Sequence, residues 1–309
     1  MAHIALLGAG FSRNWGGWLA TELLGELLGR IAEDSDTYSK LRRSKNFENT
    51  LSELQTEARQ QKKPGENSRL DHFERAVLDV FSEMNQVFAD LPGWHLSNDA
   101  ADSIDDFLSK FDAIFTLNQD LLLELHYRPN KKGMVFPGMT PPPNWQQLQA
   151  KEKLEPTWHP MDKVEVDKNS QPIFKLHGSV NWRDPSGDQL MVMGGNKVES
   201  IGRHPVLSNY FELFNKYLFE GNTKVMAIGY GFQDTHINDV LVRAGTEHGM
   251  QMHLVNPSGL EVLRRYPATA IQGPNELDDI PLIGVTSRSL RESFSGDKLS
   301  IKSLLRFFS

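Results

Sequence analysis

The chain has 309 residues, a formal net charge of −7 and 39% hydrophobic residues. That length suits one elaborated domain or two modest ones, and an acidic balance argues against a broad electrostatic surface for nucleic acid. There is no cysteine, which excludes disulfides, cysteine nucleophiles and thiolate zinc sites; no apolar run approaches the ~20 residues of a membrane span.

The N-terminus has no basic region ahead of an apolar stretch, so a signal peptide is not expected and a cytoplasmic protein is the default. Instead "ALLGAGFSRNWGG" begins at Ala5. His3 to Leu7 has the pattern of a buried parallel strand. Gly8, Ala9 and Gly10 carry almost no side-chain bulk, which lets the backbone turn sharply and approach a phosphate. From Gly17 to Ile31, apolar residues at helical spacing predict a helix. Strand, glycine turn and helix together suit an anion. The dinucleotide fingerprint G-x-G-x-x-G fails, because Arg13 stands at its third glycine. A tight turn without a ligand is the plain alternative.

A polar, helix-favouring region runs from Asp34 to about Lys110. Phe47, Leu51 and Leu54, and then Phe73, Val77, Phe81, Met84 and Phe88, recur at helical spacing, with a break at Lys62-Lys63-Pro64-Gly65. Two or three helices inserted between the first and second strands are expected over 34–110, their charged faces solvated. Phe111 to Leu117 reads as the second strand and stops at "NQD". The proline-rich segment 127–172 contains Pro141-Pro142-Pro143, which cannot be helix interior. It reads as an irregular, ordered flap anchored by Trp145 and Trp158, of a length that is usually functional or disordered.

Further along, Gln171 to Leu176 is a strand followed by "HGSVNW", and Gln189 to Met193 a small strand. His204 to Phe219 is a helix with Pro205 at its start. Lys224 to Ile228 is a strand leading into "GYGFQDTHIND" and a helix. Met250 to Val255 is a strand followed by "NPSG", and Leu299 to Phe308 an amphipathic helix that docks on the body. Strands alternating with helices predict an α/β fold: a Rossmann-like open parallel sheet with helices on both faces, plus the inserted helical module.

Five strand ends carry small or polar residues: Gly8-Ala9-Gly10, Asn118-Gln119-Asp120, His177-Gly178, Gly229-Tyr230-Gly231 and Asn256. In an open parallel sheet, ligands bind outside the carboxyl ends of the strands. Each residue also has a plainer role. Asn118 can cap a helix starting near Leu121. Asp234 is best read as the N-cap of the helix containing Ile237 and Val240. His236 reads as structural or surface, since no second ligand stands at zinc spacing. Ser12 is not in a G-x-S-x-G elbow and is not an acyl nucleophile. His177, between a strand end and a glycine, favours function.

Taken in order, "GAGFS" (8–12), "TLNQD" (116–120), "KLHGS" (175–179), "GYGFQDTHIND" (229–239) and "VNP" (255–257) resemble the sirtuin family, in the divergent branch of bacterial anti-phage defence. The resemblance implies a single NAD-binding catalytic domain over 1–309. It places Gly8, Ala9, Gly10 and Ser12 on the pyrophosphate and ribose, and Asn118 and Asp120, after Thr116, at the nicotinamide ribose. It makes His177, followed by Gly178, the catalytic base. Gly229 and Tyr230 then border the adenosine half, and Asn256 contacts its ribose.

Three features of the family's protein deacylases are missing. No cysteine follows the His-Gly segment, the G-I-P-x-F-R stretch is replaced by "GGWLATEL", and the G-T-S segment by "GYGF". The expectation is therefore an NAD+ hydrolase that releases nicotinamide and ADP-ribose. NAD+ is then a substrate, with no recycled cofactor, no zinc and no other metal. A deacylase or ADP-ribosyltransferase, and a non-catalytic NAD or ADP-ribose sensor, are the alternatives. An NADase must be held off in its own cell, so homo-oligomerisation, a sensor partner from the same defence system or a flap over the site is implied. Neither a membrane nor direct nucleic-acid binding is expected.

Overall fold

The structure is a computed structural model that describes residues 1–44, 46–60, 68–96, 103–129, 133–167, 169–264 and 275–309. Chain order begins with β1 (Ala2–Leu7) and α1 (Ala9–Ser12), then α2 (Ala20–Arg30), α3 (Ser35–Ser44), α4 (Phe47–Gln60), α5 (Ser68–Ala89) and α6 (Ile104–Leu108). Then come β2 (Ala113–Thr116), α7 (Leu122–His126), β3 (Gly133–Val135), a small antiparallel pair β4 (Met139–Thr140) and β5 (His159–Pro160), and β6 (Ser170–Lys175). A second antiparallel pair, β7 (Gly178–Arg183) and β8 (Gln189–Met191), precedes α8 (Lys197–Arg203), α9 (Pro205–Phe219), β9 (Thr223–Ile228), α10 (Thr235–His248) and β10 (Gln251–Val255). The chain closes with α11 (Glu261–Arg264), β11 (Leu282–Thr286), α12 (Leu290–Phe294) and α13 (Lys298–Leu305).

Seven strands form one sheet in the order β11-β10-β9-β1-β2-β6-β3, every neighbouring pair parallel. Ile4 to Leu7 in β1 and Val225 to Ile228 in β9 are almost wholly buried on both faces. That is why these strands read as continuous apolar runs instead of alternating ones: in a parallel sheet both faces are covered. The Rossmann-like α/β architecture is the one expected. Among the described residues no helix is long and apolar enough to cross a membrane.

Several local expectations change. The helix placed over Gly17–Ile31 starts at Ala20, because the chain turns at Gly16–Gly17; a separate short helix, α1, follows Gly8 directly. Four helices, α3 to α6, are described between Ser35 and Leu108, one more than expected. The break at Lys62-Lys63-Pro64-Gly65 lies outside the described residues. Strands β7 and β11 and helices α8 and α12 had no clear periodic signal, being short or on the sheet margin.

The inserted helices are also more than a solvated appendage. Buried Asn85 of α5 accepts a hydrogen bond from Leu121 N (2.9 Å), and His126 pairs with Phe88 O (2.7 Å). The segment 127–172 is partly regular: it supplies β3 to the sheet edge. Trp145 and Trp158 are buried there, their ring centroids 5.1 Å apart edge to face.

At the carboxyl ends of β2 and β6 lies a buried ion pair. Lys175 Nζ is 2.6 Å from Glu124 Oε1, and both side chains are almost fully enclosed. The ammonium also donates to Asp120 O (2.5 Å) and Ser179 Oγ (2.8 Å), which uses all three of its donors. Removing one member of such a pair leaves an uncompensated buried charge. We expect Lys175→Met to cost about 3–5 kcal/mol. Lys175→Met combined with Glu124→Leu should recover most of that loss. Urea unfolding of the two variants beside the parent checks both.

Candidate active site

Strands β1 and β9 lie side by side, yet the chain leaves β1 toward β2 and leaves β9 toward β10 on the other side. This is a topological switch point, where loops diverge and a crevice opens at the carboxyl edge. The loop after β1 and the loop after β9 touch backbone to backbone at its floor. A Cβ on Gly8 would stand 2.6 Å from Tyr230 Cα, and one on Gly10 2.7 Å from Gly229 Cα. Gly229 has φ +62°, and a Cβ there would come within 2.3 Å of the Gly10 carbonyl carbon. Gly8 N donates to Ile228 O (3.0 Å), Gly10 N to Gly229 O (2.9 Å) and Phe11 N to Gly8 O (2.8 Å). The glycines thus do a job that residue order did not show. They let two loops meet, and these three N–H groups are spent inside the protein instead of being aimed at a phosphate.

Above this floor is a cleft of about 730 Å³, within the usual size of a small-molecule site. Gly8, Ala9, Gly10, Asn118, His177, Gly229, Tyr230 and Asn256 line it, so residues from five strand ends do meet. Ser12, Thr116, Asp120 and Gly178 do not. Gly178 begins the β7–β8 pair with φ +73°, and a Cβ there would lie 2.1 Å from Leu190 O. The glycine is required by that hairpin.

Ser12, Thr116 and Asp120 form a layer behind Asn118. Ser12 Oγ donates to Asp120 Oδ2 (2.7 Å), and Asn118 Nδ2 donates to Ser12 Oγ (3.0 Å) and Gly8 O (3.0 Å). Thr116 Oγ1 accepts from Asn118 N (3.1 Å), while Asp120 Oδ1 accepts from Leu122 N (3.1 Å). Asp120, expected at the reacting centre, is only 6% exposed and reaches Asn118 only through Ser12. Asn118 does not cap α7; Leu121 takes that position. With both N–H bonds of its amide directed inward, Asn118 has only Oδ1 left for a ligand. The cleft therefore receives an oriented acceptor, suited to a sugar hydroxyl or a water molecule.

His177 is 3% exposed and its Nε2 lies 3.0 Å from Nε2 of His236. Burial, reinforced by the Lys197 charge, lowers its pKa to about 3. Burial likewise lowers His236 to about 4. Both imidazoles are therefore uncharged at neutral pH. His236 was expected to be structural or at the surface; it is buried against the candidate base. Asp234 does sit at the N-cap of α10, but its side chain caps nothing. Its carboxylate is 2.5 Å from Lys197 Nζ, and Lys197 is 2.8 Å from Glu48 Oε1. Although burial opposes ionisation, His177 and Lys197 hold the Asp234 carboxyl below the usual carboxylate range.

Glu48 and Lys197 carried no motif, so nothing in the residue order pointed to them. They come from α4 of the insertion and from α8. Gly195 packs against Ser52 of α4, which brings the two helices together. His177, Asp234 and His236 place three ligand-type atoms within 4.8 Å of one another. Two histidines and a carboxylate suit a transition metal, but Lys197 already supplies a cation to that carboxylate.

On the other side of the cleft the amide of Asn256 braces two loops. It donates to Tyr230 O (3.2 Å) and accepts from Ser258 N (2.9 Å). Arg288 and Arg291 also line this side. The Arg291 guanidinium donates to Asn14 O, and Asn14 Nδ2 donates to Gly10 O (3.0 Å). This ties α12 to the glycine loop and sets a positive charge beside it. None of the described residues of 127–172 lines the cleft, so that segment is not a lid in this conformation. The insertion is what walls the cleft, through Asn46, Phe47 and Glu48.

A family model described as a SIR2-like domain matches residues 112–270, more than half of the chain. The span contains "TLNQD", "KLHGS", "GYGFQDTHIND" and "VNP". The glycine loop at 8–12 lies outside it and joins the same cleft through the fold. No curated protein matches the sequence.

The buried histidines make acid stability a test of this geometry. His177, His236 and His253, which burial lowers to about 4, are neutral in the folded protein. In the unfolded chain they protonate near pH 6.5. The unfolded state then binds more protons, so stability is full above that pH and falls as pH drops from about 6.5 toward 4. The slope is at most about 1.4 kcal/mol per pH unit for each histidine. Urea unfolding between pH 7.5 and 4.5 should show it. Replacing His177 and His236 together by glutamine should reduce it, leaving the His253 contribution.

Proposed function

The chain belongs to the SIR2-like domain family, whose members are NAD-dependent enzymes, and from that premise we propose that it hydrolyses NAD+ to nicotinamide and ADP-ribose. The observation that carries the reading is the pairing, in one cleft, of an oriented acceptor with an uncharged buried imidazole. Asn118 offers Oδ1, and His177 has one ring nitrogen, Nδ1, that is not engaged by His236.

In NAD+ the leaving group is already cationic. The bond from the ribose C1′ to nicotinamide breaks with its electron pair going to nicotinamide, which leaves neutral. The sugar passes through an oxocarbenium-like state, as in other glycosidic cleavages. Water adds to C1′ and gives up a proton. Asn118 Oδ1 accepts a hydrogen bond from a ribose hydroxyl or from that water. His177 accepts the proton. A neutral imidazole serves here for a second reason: it does not repel positive charge developing on the sugar. Arg291, held by the neutral Asn14 carbonyl, supplies positive charge toward the diphosphate, whereas Arg288 is paired with Asp297.

Hydrolysis is favoured over deacylation because the zinc ribbon and acyl-lysine-binding segments of sirtuin deacylases have no counterpart in this sequence. The reading extends to a regulated effector of anti-phage defence that acts by depleting NAD+, as the motif resemblance implies. A free-running NADase would exhaust its own cell, so the proposal includes a gate. Self-assembly or a sensor partner acting on the α4 wall of the cleft is the form that suits this geometry.

Purified protein should convert NAD+ to nicotinamide and ADP-ribose, identified by mass, alone or once its partner is added. Asn118→Ala and His177→Ala should each lower kcat by about 100-fold or more. Ser12→Ala, which removes one hydrogen bond from the Asn118 amide and one from Asp120, should cost less in kcat. NAD+ consumed in step with an acyl-lysine peptide would replace this reading with deacylation. Tight NAD+ binding with no turnover under any of these conditions would replace it with a sensor.

A further inference from the structure

The site contains a second buried imidazole that the proposed chemistry leaves without a task. His236 lies in the first turn of α10, with its ring centroid 5.2 Å from that of His177 and 5.8 Å from Phe211. The two Nε2 atoms are 3.0 Å apart. Between uncharged rings, such a contact requires one nitrogen to donate and the other to accept. The two tautomers are therefore locked together. Whichever ring carries its proton on Nε2, the other must carry its own on Nδ1.

We infer that His236 is a positioning residue for His177: by accepting the Nε2 proton of His177, it holds that ring in the tautomer whose Nδ1 lone pair is free for a ligand. The inference rests on the reading of His177 as the base. When Nδ1 takes a proton from water or a ribose hydroxyl, the Nε2–H stays on His177. The resulting imidazolium keeps its hydrogen bond to neutral His236 and later returns the proton to solvent. This is the task a carboxylate performs behind a catalytic histidine in a Ser-His-Asp triad.

The neighbouring charges explain why a histidine stands here. The Asp234 carboxylate lies within 4.8 Å of both imidazole nitrogens and favours the imidazolium once it forms. Lys197, 2.5 Å from that carboxylate, keeps it engaged, so Asp234 is not the direct partner of His177. Lys197 is anchored in turn by Glu48 from the insertion. The tautomer of the base is thus coupled, through three side chains, to the helix α4 that walls the cleft.

The test has one readout that needs no turnover and one that does. In protein labelled with ¹⁵N-histidine, long-range ¹H–¹⁵N spectra report the tautomer of each ring, assigned with the single variants. His177 should be Nε2-protonated and His236 Nδ1-protonated. In His236→Phe the His177 ring should become a mixture of tautomers, and kcat for NAD+ should fall about 10–100-fold with KM within about twofold. His236→Gln, whose amide oxygen can accept from Nε2, should recover most of kcat. The inference is overturned by an Nδ1-protonated His177 in the parent protein. A folded His236→Phe with parental kcat overturns it equally. So does one equivalent of a bound transition metal that is lost in His236→Phe, since both Nε2 atoms would then be ligands. If the parent protein does not cleave NAD+, the functional reading fails, and the spectra still decide the role of His236.

Discussion

The ammonium of Lys175 is the constraint on which the candidate site depends. It is buried at the carboxyl ends of β2 and β6 and has three acceptors: Asp120 O, Glu124 Oε1 and Ser179 Oγ. One charge thereby joins the loop after β2, helix α7 and the start of β7. Those segments carry Asn118 on one side and His177 on the other. A buried charge with all its donors satisfied has few alternative positions, because any displacement leaves either the ammonium or Glu124 without its partner in a poorly solvated interior. The pair therefore helps fix the relative placement of Asn118 and His177.

A second constraint acts at the switch point between β1 and β9. Loops after β1 and β9 diverge at the switch point, yet they must be held together if the crevice is to have a floor. Gly8, Gly10 and Gly229 do this through backbone contact and the hydrogen bonds Gly8 N to Ile228 O and Gly10 N to Gly229 O. Asn14 and Arg291 then extend the floor to α12, and Asn256 extends it to the loop after β10. The glycine-rich stretch belongs to the site by supporting it. Its small residues are explained by what lies behind them as fully as by any ligand in front.

Much of this was legible from residue order. The strands at the sheet centre are unbroken apolar runs, and each ends at a polar or glycine residue, so the sheet and its binding edge could be read directly. Asn118 and His177 could be named because they stand at strand ends. Depth within the site was not legible. Ser12, Thr116 and Asp120 sit one or two residues from Asn118 or from the glycines, and nothing in their order shows that they face away from the cleft. Gly178 was misplaced because a glycine after a histidine looks the same whether it serves a ligand or a hairpin. Glu48 and Lys197 come from helices whose docking is a tertiary event, and a lone charged residue at a helix start carries no signal of its partner. His236 was present in the quoted motif, but its meaning lay in a contact with a residue 59 positions away.

The arrangement of charge links these constraints to function. Among the described residues around His177 and Asn118, Glu48 and Asp234 share the ammonium of Lys197, Glu124 meets Lys175, and Asp120 is held by Ser12 and Leu122 N. The two imidazoles between them are neutral. With two carboxylates to one ammonium, the reacting end carries no excess positive charge, so a cationic ring can enter without being repelled. At the far end, Arg291 is held by the Asn14 carbonyl instead of a carboxylate, so its charge is not cancelled locally. A substrate with an anionic centre and a cationic terminus would be drawn in by one end and turned over at the other. The insertion participates in this division because Glu48 adds a second carboxylate to Lys197. A movement of α4 would withdraw the Glu48 carboxylate and leave Lys197 to Asp234, changing the field beside His177 without altering the residues proposed to perform the chemistry.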